Sequence, residues 1–316
     1  MRIVFRGWSV VVRSSAPIIL ILLILAYPAH GLRLPTLETA QLTIIHEVGM
    51  ERAARRLVEF YGSAKASLEA FFGLQFKVRP TIILVQANRF KAVSGGNSLL
   101  VAYALPRKGT VVINHSAFRR SEADLKKTLK HELCHLFLHS MMNGNGQLPK
   151  WLEEGICQVV SGTLGEVAVT LKGNLIDEAL RRGRLLRLEA LSEGFPPREQ
   201  ELALAYEQSR VFVTFLINNY GKNKLLSLIE ILSQERPPDE ALLELYGYSL
   251  QELQLQWQNT LRGPADFLAR LGAYLYEILF GIGAFLMIIA FGVQLIRKRR
   301  SYRSEETVEE AEESAP

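Results

Sequence analysis

The 316-residue chain has only two cysteines, 12 prolines, no internal repeat and little surplus charge. Each shortage excludes something. Two cysteines cannot staple a fold of this length, so a hydrophobic core must hold it. With 48% apolar and 22% charged residues the composition is too apolar for disorder, and with 23 glycines it is too poor in Gly and Pro for a fibrous or linker protein. One large domain or two modest ones fit the length.

The formal net charge of +5 would ordinarily raise nucleic acid as a partner. Its distribution removes that reading. Arg2, Arg6 and Arg13 precede an uncharged 12-residue core, Ala16 to Tyr27, and Ala29 and Gly31 then stand at −3 and −1 of a cleavage site. Residues 1–31 therefore read as an export signal, cleaved or kept as an N-terminal anchor; a bilayer-spanning helix needs about 20 apolar residues. At the other end, Ile278 to Ile296 runs 19 residues without a charge, followed by Arg297, Lys298, Arg299, Arg300 and Arg303. This is the pattern of a transmembrane helix, within 271–296, with a cytoplasmic basic stop. The tail to residue 316 carries six glutamates with Ser and Pro and cannot build a core. Setting aside the three N-flank arginines and the five cations and six glutamates of the C-terminal segment leaves 29 basic and 26 acidic residues between them. That is an ordinary surface, and no nucleic-acid partner is expected. Both basic flanks belong on the cytoplasmic side, which places residues 32 to about 270 on the extracytoplasmic face of a cell membrane.

Within that part, Leu42 to Val48 is a short apolar run, and the period of three and four from Met50 to Phe72 predicts a helix ended by Gly73. Val78 to Gln86, Leu99 to Leu105 and Gly109 to Asn114 predict strands, and Ser121 predicts an N-cap with Asp124 at its third helical position. Beyond residue 150 everything reads as helix: 151–161, 175–190, 200–219, 223–234, 238–246 and 249–262. The class is α+β: a small sheet with one chemistry-bearing helix over 32–150, an all-helical subdomain over 151–265, then the membrane helix.

The helix opened by Ser121 contains His131-Glu132-Leu133-Cys134-His135. Residues i and i+4 share a helix face, so His131 and His135 can reach one metal ion, while Glu132 sits one position round and can act on a water as a base. A catalytic zinc needs a third protein ligand and an open position.

Downstream stands Trp151-Leu152-Glu153-Glu154-Gly155, with 18 residues separating His135 from Glu154. An HExxH followed at this distance by Glu in a W-L-x-E-G segment resembles the gluzincin metallopeptidases, specifically the aminopeptidase N-like branch and its thermolysin-like relatives. The resemblance spans roughly residues 40–262 and is nearest to short, exported peptidase MA-like domains. It implies a zincin-like fold, Zn²⁺ as cofactor, peptide or protein substrates and Glu154 as third ligand. Glu153 stands where the branch commonly has Asn, and is either a partner of a ligand or a surface residue. His139, eight residues after His131, is about 12 Å along the axis and too far to share the metal. The metzincin pattern would need His where Met141 stands.

A second likeness lies at Tyr206-Glu207, 52 residues beyond Glu154, where the branch has a Tyr-Glu-Lys-Gly segment whose Tyr steadies the oxyanion. Tyr206 is that donor or a core tyrosine. The Gly-x-Met-Glu-Asn segment that grips a free substrate amine is absent from 98–114, which favours an endopeptidase. Gln158 replaces the aspartate that thermolysin-like enzymes place four residues after the glutamate ligand. Cys134 and Cys157, beside these ligands, form a helix-to-helix bridge or stay as buried thiols. The expected activity is zinc-dependent hydrolysis of peptide bonds, with Glu132 as base and Tyr206 steadying the oxyanion. The strand Gly109–Asn114, if at the sheet edge, is expected to hold an extended substrate. The alternatives are a catalytically silent zinc-binding module tethered to the membrane, and a metallohydrolase for another bond.

Overall fold

Two short β-branched runs, Thr81-Ile-Ile-Leu-Val85 and Thr110-Val-Val-Ile-Asn114, are apolar on both faces and are therefore central strands. They are β3 and β5 of the computed structural model, which describes residues 34–94, 100–118, 121–142, 146–162, 175–261 and 277–297. The export-signal reading of 1–31 and the tail beyond residue 297 lie outside the described residues.

With β1 (Thr36–Glu38), β2 (Thr43–His46) and β4 (Ala102–Leu105) they form a five-stranded mixed sheet in the order β1-β2-β3-β5-β4. β2, β3 and β5 run parallel, in a register that pairs Ile44 with Ile82 and Ile83 with Val112. β1 and β4 close the two edges antiparallel. The strand at Gly109–Asn114 is thus not the edge. It lies between β3 and β4, as its lack of a polar face requires, and the edge is β4, whose later residues are only half-buried.

Helix α1 (Glu51–Phe72) follows the three-and-four pattern, burying Ala54, Leu57, Tyr61, Leu68 and Phe72, and stops at Gly73 with φ 70°. The short α2 (Ala87–Val93) covers one sheet face, where Phe90 and Val93 join Ile83, Val85 and Val112. Helix α3 (Glu122–Met141) starts where Ser121 caps it, its side chain accepting from the Asp124 amide at 3.2 Å. α3 packs on α1 through Phe137, stacked on Phe72 with ring centroids 4.6 Å apart.

The described residues from there to Leu261 are helical: α4 (Lys150–Ser161), α5 (Leu175–Arg181), α6 (Leu188–Glu193), α7 (Glu199–Tyr220), α8 (Lys222–Leu232), α9 (Pro238–Tyr246) and α10 (Leu250–Leu261). The single helix expected over 175–190 is two. Gly183 turns left-handed at φ 62°, and buried amides satisfy the unwound backbone that follows. Gln208 donates to Leu186 O at 2.6 Å and accepts from Leu186 N at 3.0 Å, while Gln254 accepts from Leu188 N at 2.9 Å. Such partners remove the cost of burying backbone groups outside a helix.

The described residues divide into two units between Trp257 and Gln258. The second holds α11 (Glu277–Arg297), whose apolar window has mean hydropathy 2.4 and none of its residues buried. By length and composition it can cross a membrane.

Candidate metal centre

α3 is buried from His131 to Leu138, so His131 and His135 face the interior rather than solvent. α4 packs across it and across α7. The approach to α7 depends on Gly155: a Cβ there would lie 2.5 Å from the Ser209 carbonyl oxygen and 2.6 Å from Val213 Cγ2. That contact presses the turn carrying Glu154 against α3.

His131, His135 and Glu154 consequently converge. The two Nε2 atoms are 3.1 Å apart, and Glu154 Oε2 lies 3.4 Å from His131 Nε2 and 3.6 Å from His135 Nε2. Among the described residues they are the metal-capable cluster, and all three are buried. Bonds of about 2.0–2.1 Å at tetrahedral angles place donor atoms about 3.3 Å from one another. Two imidazole nitrogens and one carboxylate oxygen at these separations therefore fit a single tetrahedral cation, and the donor set suits zinc.

The surrounding charges agree. Burial raises the Glu154 carboxyl, but Lys150, His135 and His131 outweigh it and hold the group well below the usual carboxylate range. Burial pushes His131 down, beyond what Glu154 restores. On His135 burial acts in the same sense but loses to Glu154, Glu153 and Glu132, which keep it well above its ordinary value. Burial also opposes ionisation of Glu153, yet the hydrogen bond from His135 pulls it down. Of its two sequence alternatives, Glu153 is a partner residue rather than a free surface one: its Oε1 sits 2.7 Å from His135 Nδ1 and fixes the ring so that Nε2 points at the cluster.

Glu132 is fully buried beside the pair. His139 is exposed, outside the cluster. Cys134 and Cys157 are buried free thiols outside the cluster; burial, and Cys134 after it, pushes the Cys157 thiol well up. Gln158 is buried one turn beyond Glu154.

A cleft of about 840 Å³ reaches the cluster at His135, which lines it together with Glu153, Lys150 and Ala104 and Leu105 of the edge strand β4; His131 and Glu154 lie behind that lining. Tyr206 is not among its lining residues. It is buried on α7, its ring edge-on to Phe195 at 5.0 Å, one turn before the Ser209 that touches Gly155. The sequence reading missed Lys150. It lies on the cleft wall with Nζ 2.5 Å from Glu154 Oε1, and its only signal was the i,i+4 spacing to Glu154.

No curated protein matches the chain. Residues 108–263 match the family model described as the Peptidase MA superfamily. The matched segment begins just ahead of β5 and ends past α10, so it contains every residue of the cluster and is a Peptidase MA superfamily domain.

Proposed function

We propose that this chain hydrolyses internal peptide bonds of extended polypeptides, using a zinc ion held by His131, His135 and Glu154. The observation that carries the reading is the buried triangle of donor atoms at 3.1, 3.4 and 3.6 Å with Glu132 buried beside it. When bound, zinc supplies Lewis acidity, which brings the pKa of a coordinated water to about 7 and polarises the scissile carbonyl.

The chain's own residues do the rest. The Glu132 carboxylate accepts the proton that the attacking water loses and passes it to the leaving nitrogen, so water ends divided between the new carboxylate and the new amine. Glu153 keeps His135 in the tautomer that presents Nε2. Tyr206 is proposed as the hydroxyl donor to the developing oxyanion, a role that rests on its resemblance and on its place on α7 behind the ligand helix. The substrate lies along β4, whose position at the end of the sheet offers backbone pairing and whose Ala104 and Leu105 line the same cleft as His135. The absent amine-binding segment supports endopeptidase action.

The apolar α11 supports tethering by a single pass, and the cations from Arg297 onward support a cytoplasmic C-terminus with the zinc domain outside. The substitution Glu132→Gln should keep stoichiometric zinc and lower hydrolysis of unfolded casein by a factor of about 10²–10⁴. A zinc-replete variant with full activity overturns the mechanism, and a wild-type chain that binds zinc but never cleaves points to a silent binding module.

A further inference from the structure

Lys150 stands where local helix energetics disfavour it. It is the first residue of α4, at the positive end of the helix dipole, where anions rather than cations are stabilised. Its partner Glu154 follows at i+4, the weaker order for such a pair. A residue that breaks a local rule without a local gain points to a site. Its gain here is geometric. Glu154 has its two oxygens committed in different directions: Oε1 to Lys150 Nζ at 2.5 Å, and Oε2 to the two histidine nitrogens at 3.4 and 3.6 Å. The Glu154 side chain is fully buried, whereas Lys150 is 37% exposed at the cleft wall, so the ammonium approaches from the substrate side.

We propose that Lys150 is a positioning residue that limits Glu154 to one metal-facing oxygen and thereby preserves the open coordination position for water. This rests on the zinc reading above. A carboxylate free of the lysine can turn both oxygens to a cation, filling the position that a catalytic site must leave open. Held by the ion pair of Lys150 with Oε1, it offers Oε2 alone.

Cobalt(II), substituted for zinc in the full-length detergent-solubilised protein, reports coordination number directly in its visible spectrum, without any turnover. Wild type should show the intense bands of a four-coordinate ion. In Lys150→Met these should fall about twofold or more, as the geometry moves towards five-coordinate. Lys150→Arg, which keeps a cationic donor within reach of Oε1, should restore the wild-type spectrum. A Lys150→Met spectrum identical to wild type, or an equal change in the Arg variant, overturns the role of the lysine alone. A wild-type protein that takes up no cobalt overturns the metal-site reading itself, and the proposal with it.

Discussion

Glu153 and Glu154 are neighbours of the same type, yet a step of about 100° around the helix sends them to opposite ends of one imidazole. Glu153 meets His135 Nδ1, while Glu154 meets Nε2. Removing the outer carboxylate by Glu153→Ala should weaken zinc binding about 10–100-fold, read by competition with a chelator. Glu153→Gln, whose amide oxygen still accepts, should lose much less, and equal losses would count against an orienting role. The raised pKa of His135 has a sign that can be followed. In metal-free protein three glutamates outweigh its burial and favour the protonated ring. A cation must displace that proton, so zinc binding releases about one proton per site at pH 7, and affinity climbs with pH until His135 is neutral by itself. Calorimetry in buffers of different ionisation enthalpy measures the release; none at pH 7 would show His135 already neutral. At this scale the two histidines and Glu132 were legible in sequence, because one turn of helix fixes their spacing. Glu154 was reached only through resemblance, and Lys150 was not read at all. Its role depends on where Glu154 points, which is set by packing.

Helix placement transmits packing into the site. α4 is held between α3 and α7, and its nearest approach to α7 is at Gly155, where no side chain fits. Gly155→Ala forces a methyl against a backbone carbonyl that cannot rotate away. It should destabilise the fold by about 1–3 kcal/mol, and shift Glu154 so that zinc affinity falls as well. Urea unfolding with and without zinc separates the two effects; unchanged affinity would mean that α4 can slide without moving its ligand. The cap at Ser121 makes a useful contrast, since it holds α3 at the end away from the cluster. Ser121→Ala should cost about 1 kcal/mol and leave metal affinity alone. The elements themselves were largely readable where their periods were long. α1 and α7 match their expected spans within a few residues, and α3 starts where Ser121 was expected to cap it. β1, with three residues, and α2, with seven, are too short to show a period. The break between α5 and α6 escaped because it relies on Gln208 and Gln254, more than 20 residues away in sequence, to satisfy the backbone at Leu186 and Leu188.

For the molecule as a whole, the proposed topology makes the membrane part of the arrangement: a near-neutral domain outside, one apolar helix, and a basic stop within. Full-length chain should remain in the pellet after alkaline extraction of membranes. Protease applied to the outer face of intact cells should remove epitopes within 34–257 and spare one placed after residue 303. Protection of the epitopes within 34–257 with loss of the one after residue 303 would reverse the orientation. Net charge, which at first suggested a partner, thus resolves into a statement about sidedness once divided along the chain. The sequence by itself determined what is local: the histidine face of α3, the apolar length of α11, the strand character of β3 and β5, and the near neutrality of the middle. Each is a matter of residue type at short spacing, which backbone geometry converts directly into structure. Only the tertiary structure decided that β4 rather than β5 ends that side of the sheet, that Glu154 closes the triangle with both histidines, that Glu153 backs His135, and that Lys150 takes the remaining oxygen. Those are distances between segments joined by many rotatable bonds, and they are set by strand order and by the close contact of α4 with its neighbours.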